Sequence, residues 1–148
     1  MHVQFAEHPG LHGYRIGIAS LDAEPSLNAL DLPMIEALHA RLQAWAHEPA
    51  IACVLLRGQG AKAFCAGGDV RQLIDACRAQ PGEVPALAMR FFADEYRLDY
   101  CLHSYPKPLL CWGHGYVMGG GLGLLQGAAV RIVTPGSRLS MPEIAIGL

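Results

Sequence analysis

The sequence predicts an α/β fold with a mainly parallel sheet, on three observations. Apolar runs of strand length, at residues 51–56 and 109–112, alternate with segments of helical periodicity. Two glycine-rich loops follow those runs, and each opens a helix. The composition calls for one well-filled core: of 148 residues, 52% are hydrophobic and only 16% are charged. The 17 glycines and 10 prolines imply many tight turns around it.

Residues 14–19 (Tyr14, Arg15, Ile16, Gly17, Ile18, Ala19) alternate in part and read as a strand, with a terminal loop before them around Pro9 and Gly10. Residues 21–30 are rich in turn formers, among them Asp22, Pro25, Ser26 and Asn28. Asp31 then reads as an N-cap with Pro33 in the first turn, and Ile35, Leu38, Leu42 and Trp45 recur at helical spacing. That helix should end near Pro49. Residues 51–56 are apolar without alternation, as in a strand covered on both faces. The loop GQGAKAFCAGGD follows, and Asp69 reads as the cap of a helix carrying Val70, Leu73, Ile74 and Cys77. Residues 80–85 break it. A longer helix should run from about 86 to 103, with Phe91, Phe92, Tyr96 and Leu98 among several charges. Residues 109–112 form another buried strand, Gly119, Gly120 and Gly121 open a helix toward Gly127, and 129–134 closes the pattern as a strand.

Several functional classes are excluded. The net charge is −2 and no basic stretch exists to grip a phosphate backbone, so nucleic acid is not an expected partner. Cys53, Cys65, Cys77, Cys101 and Cys111 are odd in number and widely spaced, which fits free, buried thiols in a cytoplasmic protein without zinc. Residues 108–130 carry no formal charge, and Gly119, Gly123 and Gly127 are spaced like a membrane helix pair. The run also holds His114 and Gln126, so strand, glycine turn and buried helix explain it better than a membrane span. No GxSxG elbow or P-loop occurs, and GxGxxG fails at Met118. His8 and His12 are separated by Pro9 and Gly10, which argues against a metal pair. His114, in a Gly-His-Gly turn, reads as structural.

What remains is the pair of loops 66–69 and 119–121. If their strands are neighbours, two helix N-termini face one crevice, and their free N–H groups suit a developing oxyanion. Close helix–sheet packing would use glycines in the same way, and the residues alone do not choose between the two.

Taken together, LNAL, GQGAKAFCAGGDV, YPKPLLCWGHGYVMGGGLGL and SMPEIAIGL resemble the crotonase (enoyl-CoA hydratase/isomerase) superfamily from about Tyr14 to Leu148. FFADEYRLDY and the MPE-x-AIGL strand resemble its 3-hydroxyisobutyryl-CoA hydrolase branch most. The resemblance implies a ββα spiral core, with the N–H groups of Gly68 and Gly120 holding the thioester oxygen of an acyl-CoA. It implies Glu143 as the catalytic carboxylate, Glu95 on the substrate hydroxyl and Ala66 on the CoA adenine. Within the charged helix, by contrast, a solvated face is the default for Glu95. Ser26 stands where the family carries a basic residue for the CoA phosphates, and Lys62 or an arginine from elsewhere in the chain is the expected substitute. Gly123 occupies the position of a hydratase's second glutamate, which favours hydrolysis over addition of water to a double bond.

The implied function is hydrolysis of a short branched 3-hydroxyacyl-CoA, with Glu143 either attacking directly or activating water. CoA is then part of the substrate, and no metal or bound redox cofactor is expected. The alternatives are an enoyl-CoA hydratase or isomerase and, in another class, a non-catalytic CoA-binding module. The resemblance also implies a homo-oligomer, a trimer or hexamer. The chain closes on apolar SMPEIAIGL without a cap or polar tail, so residues 1–148 are expected to be the N-terminal part of a domain whose second catalytic acid lies beyond Leu148.

Overall fold

The computed structural model describes residues 2–146, so Gly147 and Leu148 of the last motif lie outside the described residues. The chain begins with β1 (Val3–Pro9), which turns back through a 3-10 turn into β2 (Arg15–Leu21) as an antiparallel pair. Here the terminal loop expected from the sequence is a strand. Val3 is buried and Phe5 meets Trp45 edge-on at 5.9 Å, while the polar residues of this sheet edge hide the alternation.

α1 (Leu32–His47) starts where expected, with the Asp31 side chain accepting from the Met34 N–H at 2.8 Å. Its buried stripe of Met34, Ile35, Leu38, Leu42 and Trp45 packs on the sheet. Trp45 lies flat on Gly17, where a Cβ would come 2.8 Å from the indole. In β3 (Ile51–Gly58), Val54 and Leu56 are buried on one face, while on the other Cys53 and Leu55 are only partly covered and Arg57 is exposed, so the full two-sided covering expected from the sequence is not found. Inside the expected loop 58–69 lies a short strand, β4 (Ala63–Cys65). α2 (Val70–Ala79) and α3 (Ala86–His103) follow with the predicted break between them.

β5 (Leu109–Gly113), β6 (Tyr116–Met118) and α4 (Gly120–Gly127) together take up the uncharged run. Among the described residues no helix is long and apolar enough to cross a membrane. β7 (Val130–Val133) and β8 (Arg138–Ser140) lead into a 3-10 turn, Glu143–Ile146, where the resemblance suggested a strand. Of the cysteines, Cys65 and Cys111 are buried, Cys53 and Cys101 are partly covered and Cys77 is exposed, so burial does not hold for all five.

Two sheets replace the single one. The larger runs β1-β2-β3-β5-β7, parallel after its first pair, and the smaller runs β4-β6-β8, all parallel. Each pair in chain order (β3 and β4, β5 and β6, β7 and β8) gives one strand to each sheet and then enters helical structure. That is a ββα spiral. Its consequence is positional, because the chain segments leaving the small sheet come out side by side.

Candidate active site

The C-terminal ends of β4, β6 and β8 deliver, in neighbouring order, Ala66 to Gly68, Gly119 to Gly120, and Glu143. On the first loop, Leu30 donates its N–H to the Gly67 carbonyl at 2.8 Å and accepts from the Asp69 N–H at 2.7 Å. In this parallel bridge the residues on either side of Gly68 bond to Leu30, so the groups of Gly68 itself, including its N–H, face away from Leu30. It has no hydrogen-bond partner among the described residues. On the second loop, the Gly119 N–H donates to the Ser140 carbonyl at 3.0 Å, and the Gly119 carbonyl accepts from Leu122 and Gly123. The Gly120 N–H, at the first position of α4, is likewise without a partner among the described residues. The two loops touch: a Cβ on Gly67 would lie 3.7 Å from the Gly120 nitrogen.

Each glycine here has its own reason. Gly67 (φ +99°) and Gly119 (φ +50°) make the turns. Gly121 permits packing, since a Cβ there would strike the Cys65 carbonyl. At Gly68 a Cβ would meet the Phe91 ring at 2.8 Å, and at Gly120 it would overlap Oε1 of Glu95. Packing and free N–H groups are thus both served, by different residues of the same loops.

The cleft between these loops holds about 160 Å³ and is lined by Gly68, Gly120, Phe91, Glu95 and Glu143, with Ala66 at its edge. Glu95 is 6% exposed, which overturns the solvated face that its charged helix suggests. The reason is its place on the stripe of Phe91, Leu98 and Leu102, all buried, while Asp94 pairs outward with Arg90 and Arg97. Burial lifts the Glu95 carboxyl from 4.5 to about 7, with Asp99 and then Glu143 adding repulsion. Glu143 is half-buried, and a Cβ on Gly119 would come 2.8 Å from its Oε1. The carboxylates therefore flank the loop that carries the Gly120 N–H.

Asp99 was not singled out by the sequence. Its carboxylate fills the space beside Gly123, with Oδ2 3.0 Å from an added Cβ, and burial raises it from 3.8 to about 6. The available signal was its spacing, one helical turn after Glu95 and facing a glycine helix. Asp69 caps α2 by accepting from the Arg71 N–H at 3.2 Å, as expected. The His114 ring meets the Gly60 carbonyl at 2.9 Å, a structural clip. Ser26 donates to the Ala23 carbonyl at 2.9 Å within its own turn. Lys62 lies at the start of β4, across the small sheet from the cleft, in a separate depression with Tyr116 and Arg138. Cys65 is buried, and that burial pushes its thiol up to about 12, away from the thiolate form a nucleophile needs.

A larger apolar hollow of about 570 Å³ between α2 and α3 meets the cleft at Val70 and Phe92. Among the described residues no carboxylate lines it, and the cleft carboxylates lie in the smaller cleft.

The family described as enoyl-CoA hydratase/isomerase matches residues 16–148. The chain belongs to this family. Among curated members, the mitochondrial 3-hydroxyisobutyryl-CoA hydrolase of Xenopus tropicalis is 40% identical over 132 residues, 89% of this chain and 33% of that protein. The Homo sapiens protein of the same name is 39% identical over the same shares. Among solved structures, a carnitinyl-CoA dehydratase from Mycobacterium thermoresistibile superposes with a TM-score of 0.87 at 35% identity, over 97% of this chain and 40% of that one. An enoyl-CoA hydratase from Rhodobacter sphaeroides 2.4.1 gives 0.86 at 34% identity, over 100% and 42%. The chain thus spans about a third of the length of the curated relatives it matches, with 33% covered in each of these two. The crotonase fold expected from the motifs is the fold found.

Proposed function

We propose that the protein hydrolyses a short 3-hydroxyacyl-CoA thioester of the 3-hydroxyisobutyryl-CoA type. One observation carries this reading: two N–H groups without partners among the described residues, on touching loops, border a cleft that also holds two carboxylates. The Gly68 and Gly120 N–H groups receive the thioester oxygen as it gains charge, and because the backbone holds them in place no reorganisation is needed. Glu143 either attacks the acyl carbon, so that the C–S bond breaks, CoA leaves as its thiolate and water then cleaves the mixed anhydride, or takes a proton from a water that attacks that carbon and passes it to the departing CoA sulfur. Glu95 meets the acyl hydroxyl. Ala66, at the rim, offers backbone to the adenine, and Lys62 on the far side of β4 reaches a distal phosphate. The hydrolase relatives at 40% and 39% identity support the choice of reaction.

A second reading, hydration or isomerisation of an enoyl-CoA, draws on a different observation. Gly123 lacks a hydratase's second carboxylate, yet α3 brings Asp99 against Gly123 and Glu95 against Gly120. A second carboxylate is therefore present in the cleft from another helix.

Release of free CoA thiol from 3-hydroxyisobutyryl-CoA, compared between the protein and its Glu143→Gln variant, separates the readings. We expect release that falls at least a thousandfold in the variant, roughly what loss of a principal catalytic group costs. Crotonyl-CoA absorbance that falls without thiol release would instead establish the hydratase reading.

A further inference from the structure

α3 presents two carboxylates, one turn apart, to the glycine face of α4. Glu95 lies on Gly120, Asp99 lies 3.0 Å from the Cβ position of Gly123, and Leu102 closes the seam on Gly127 at 2.9 Å from its Cβ position. Glu95 is 6% exposed, lines the cleft and has no hydrogen-bond partner among the described residues. Asp99 is half-buried, and its Oδ1 is covered with no partner among the described residues.

Around this pair, Glu143 faces it from the C-terminal turn and the Cys65 thiol from β4. α4 contributes no titratable group. α1 packs along α3, with Glu36 and His39 beside Arg90 and Asp94 and His39 also near Tyr96, Arg97, Tyr100 and Cys101. On the α2 side, Arg78 and Cys77 border the apolar hollow. No cation lines the cleft among the described residues. Burial raises both Glu95 and Asp99, and the neighbouring Asp99 charge raises Glu95 further.

We propose that Asp99 is a positioning residue that acts through Glu95: seated against Gly123, it keeps Glu95 packed on Gly120 as a neutral carboxyl that donates a hydrogen bond to the substrate. The inference rests on the acyl-CoA reading of the cleft. As the acyl carbon is attacked, negative charge gathers at the Gly68 and Gly120 N–H groups. An ionised Glu95 on Gly120 would repel that charge, whereas a neutral one donates toward the oxyanion or the acyl hydroxyl. Activity then falls along an alkaline limb as Glu95 loses its proton.

The test is the pH profile of kcat/KM for thiol release from 3-hydroxyisobutyryl-CoA in the wild type, Asp99→Asn, Asp99→Ser and Glu95→Gln. Both Asp99 variants should shift the alkaline limb down by about one pH unit, because a like charge has gone. Glu95→Gln should abolish that limb. A limb that stays in place in both Asp99 variants overturns the proposal.

A second readout needs no turnover. The infrared carbonyl band of protonated Glu95, assigned by its loss in Glu95→Gln, should lose its proton at lower pH in both Asp99 variants. If that shift is seen while no thioester is cleaved, the coupling of Asp99 to Glu95 stands and the hydrolase reading falls. An unshifted band overturns the coupling, whatever the activity.

Discussion

Gly120 shows how much of this site is decided by one missing side chain. Its N–H, at the start of α4, has no partner among the described residues, and the space that a Cβ would take is occupied by Glu95. Gly120→Ala keeps the donor but forces the carboxyl away and crowds the approach of a carbonyl. We expect turnover to fall about a hundredfold, as when one oxyanion contact is lost, with an unchanged circular dichroism spectrum. Retained turnover would show that neither Glu95 nor the approach over Gly120 matters. The glycine run 119–121 was visible in the sequence, but the division of labour among its members was not. One member turns the chain, one frees an N–H and one admits the Cys65 carbonyl, and only contacts from other elements tell them apart. Glu95 carried a partial signal, because it shares helical phase with Phe91, Leu98 and Leu102.

Among the elements, the four α-helices were the most legible, since their caps and periods are local properties. Asp31 is the clearest case, its side chain satisfying the Met34 N–H of a helix that contributes five buried side chains. Asp31→Ala should cost about 1 kcal/mol, measured as a lower urea midpoint with unchanged slope. β4, β6 and β8 were not legible as strands. Three residues are too few to establish a period of two, and these strands exist because their neighbours in the spiral pair with them. β1 escaped notice for a different reason, as an edge strand whose outer half is polar.

For the molecule as a whole, the buried carboxyls link stability to pH. Glu95 and Asp99 bind their protons more tightly when folded, at about 7 and about 6, than at their ordinary values of 4.5 and 3.8. Between pH 4 and 7 the folded state therefore holds more protons, and stability falls as pH rises through that window. Glu95 alone accounts for roughly 3 kcal/mol of that fall. Thermal melts should show Glu95→Gln gaining on the wild type at pH 8 and losing the gain near pH 4; equal gains at both would remove the link. The last turns of the spiral leave Trp112, Val133 and Met141 exposed in the isolated chain. We expect the protein to assemble as a trimer or hexamer, and a single-chain mass by light scattering would rule that out.

The sequence by itself determined the α/β class, the order of the helices, their caps and the glycine loops, because each depends on neighbours a few residues away. Its ordered motifs also pointed to the family. The tertiary structure alone decided that there are two sheets, and that three short parallel strands bring Gly68, Gly120 and Glu143 to one edge. It also decided that α3 turns Glu95 and Asp99 inward onto the glycines of α4. Those facts depend on pairing and burial between segments far apart in the chain, and no local pattern of residues records them.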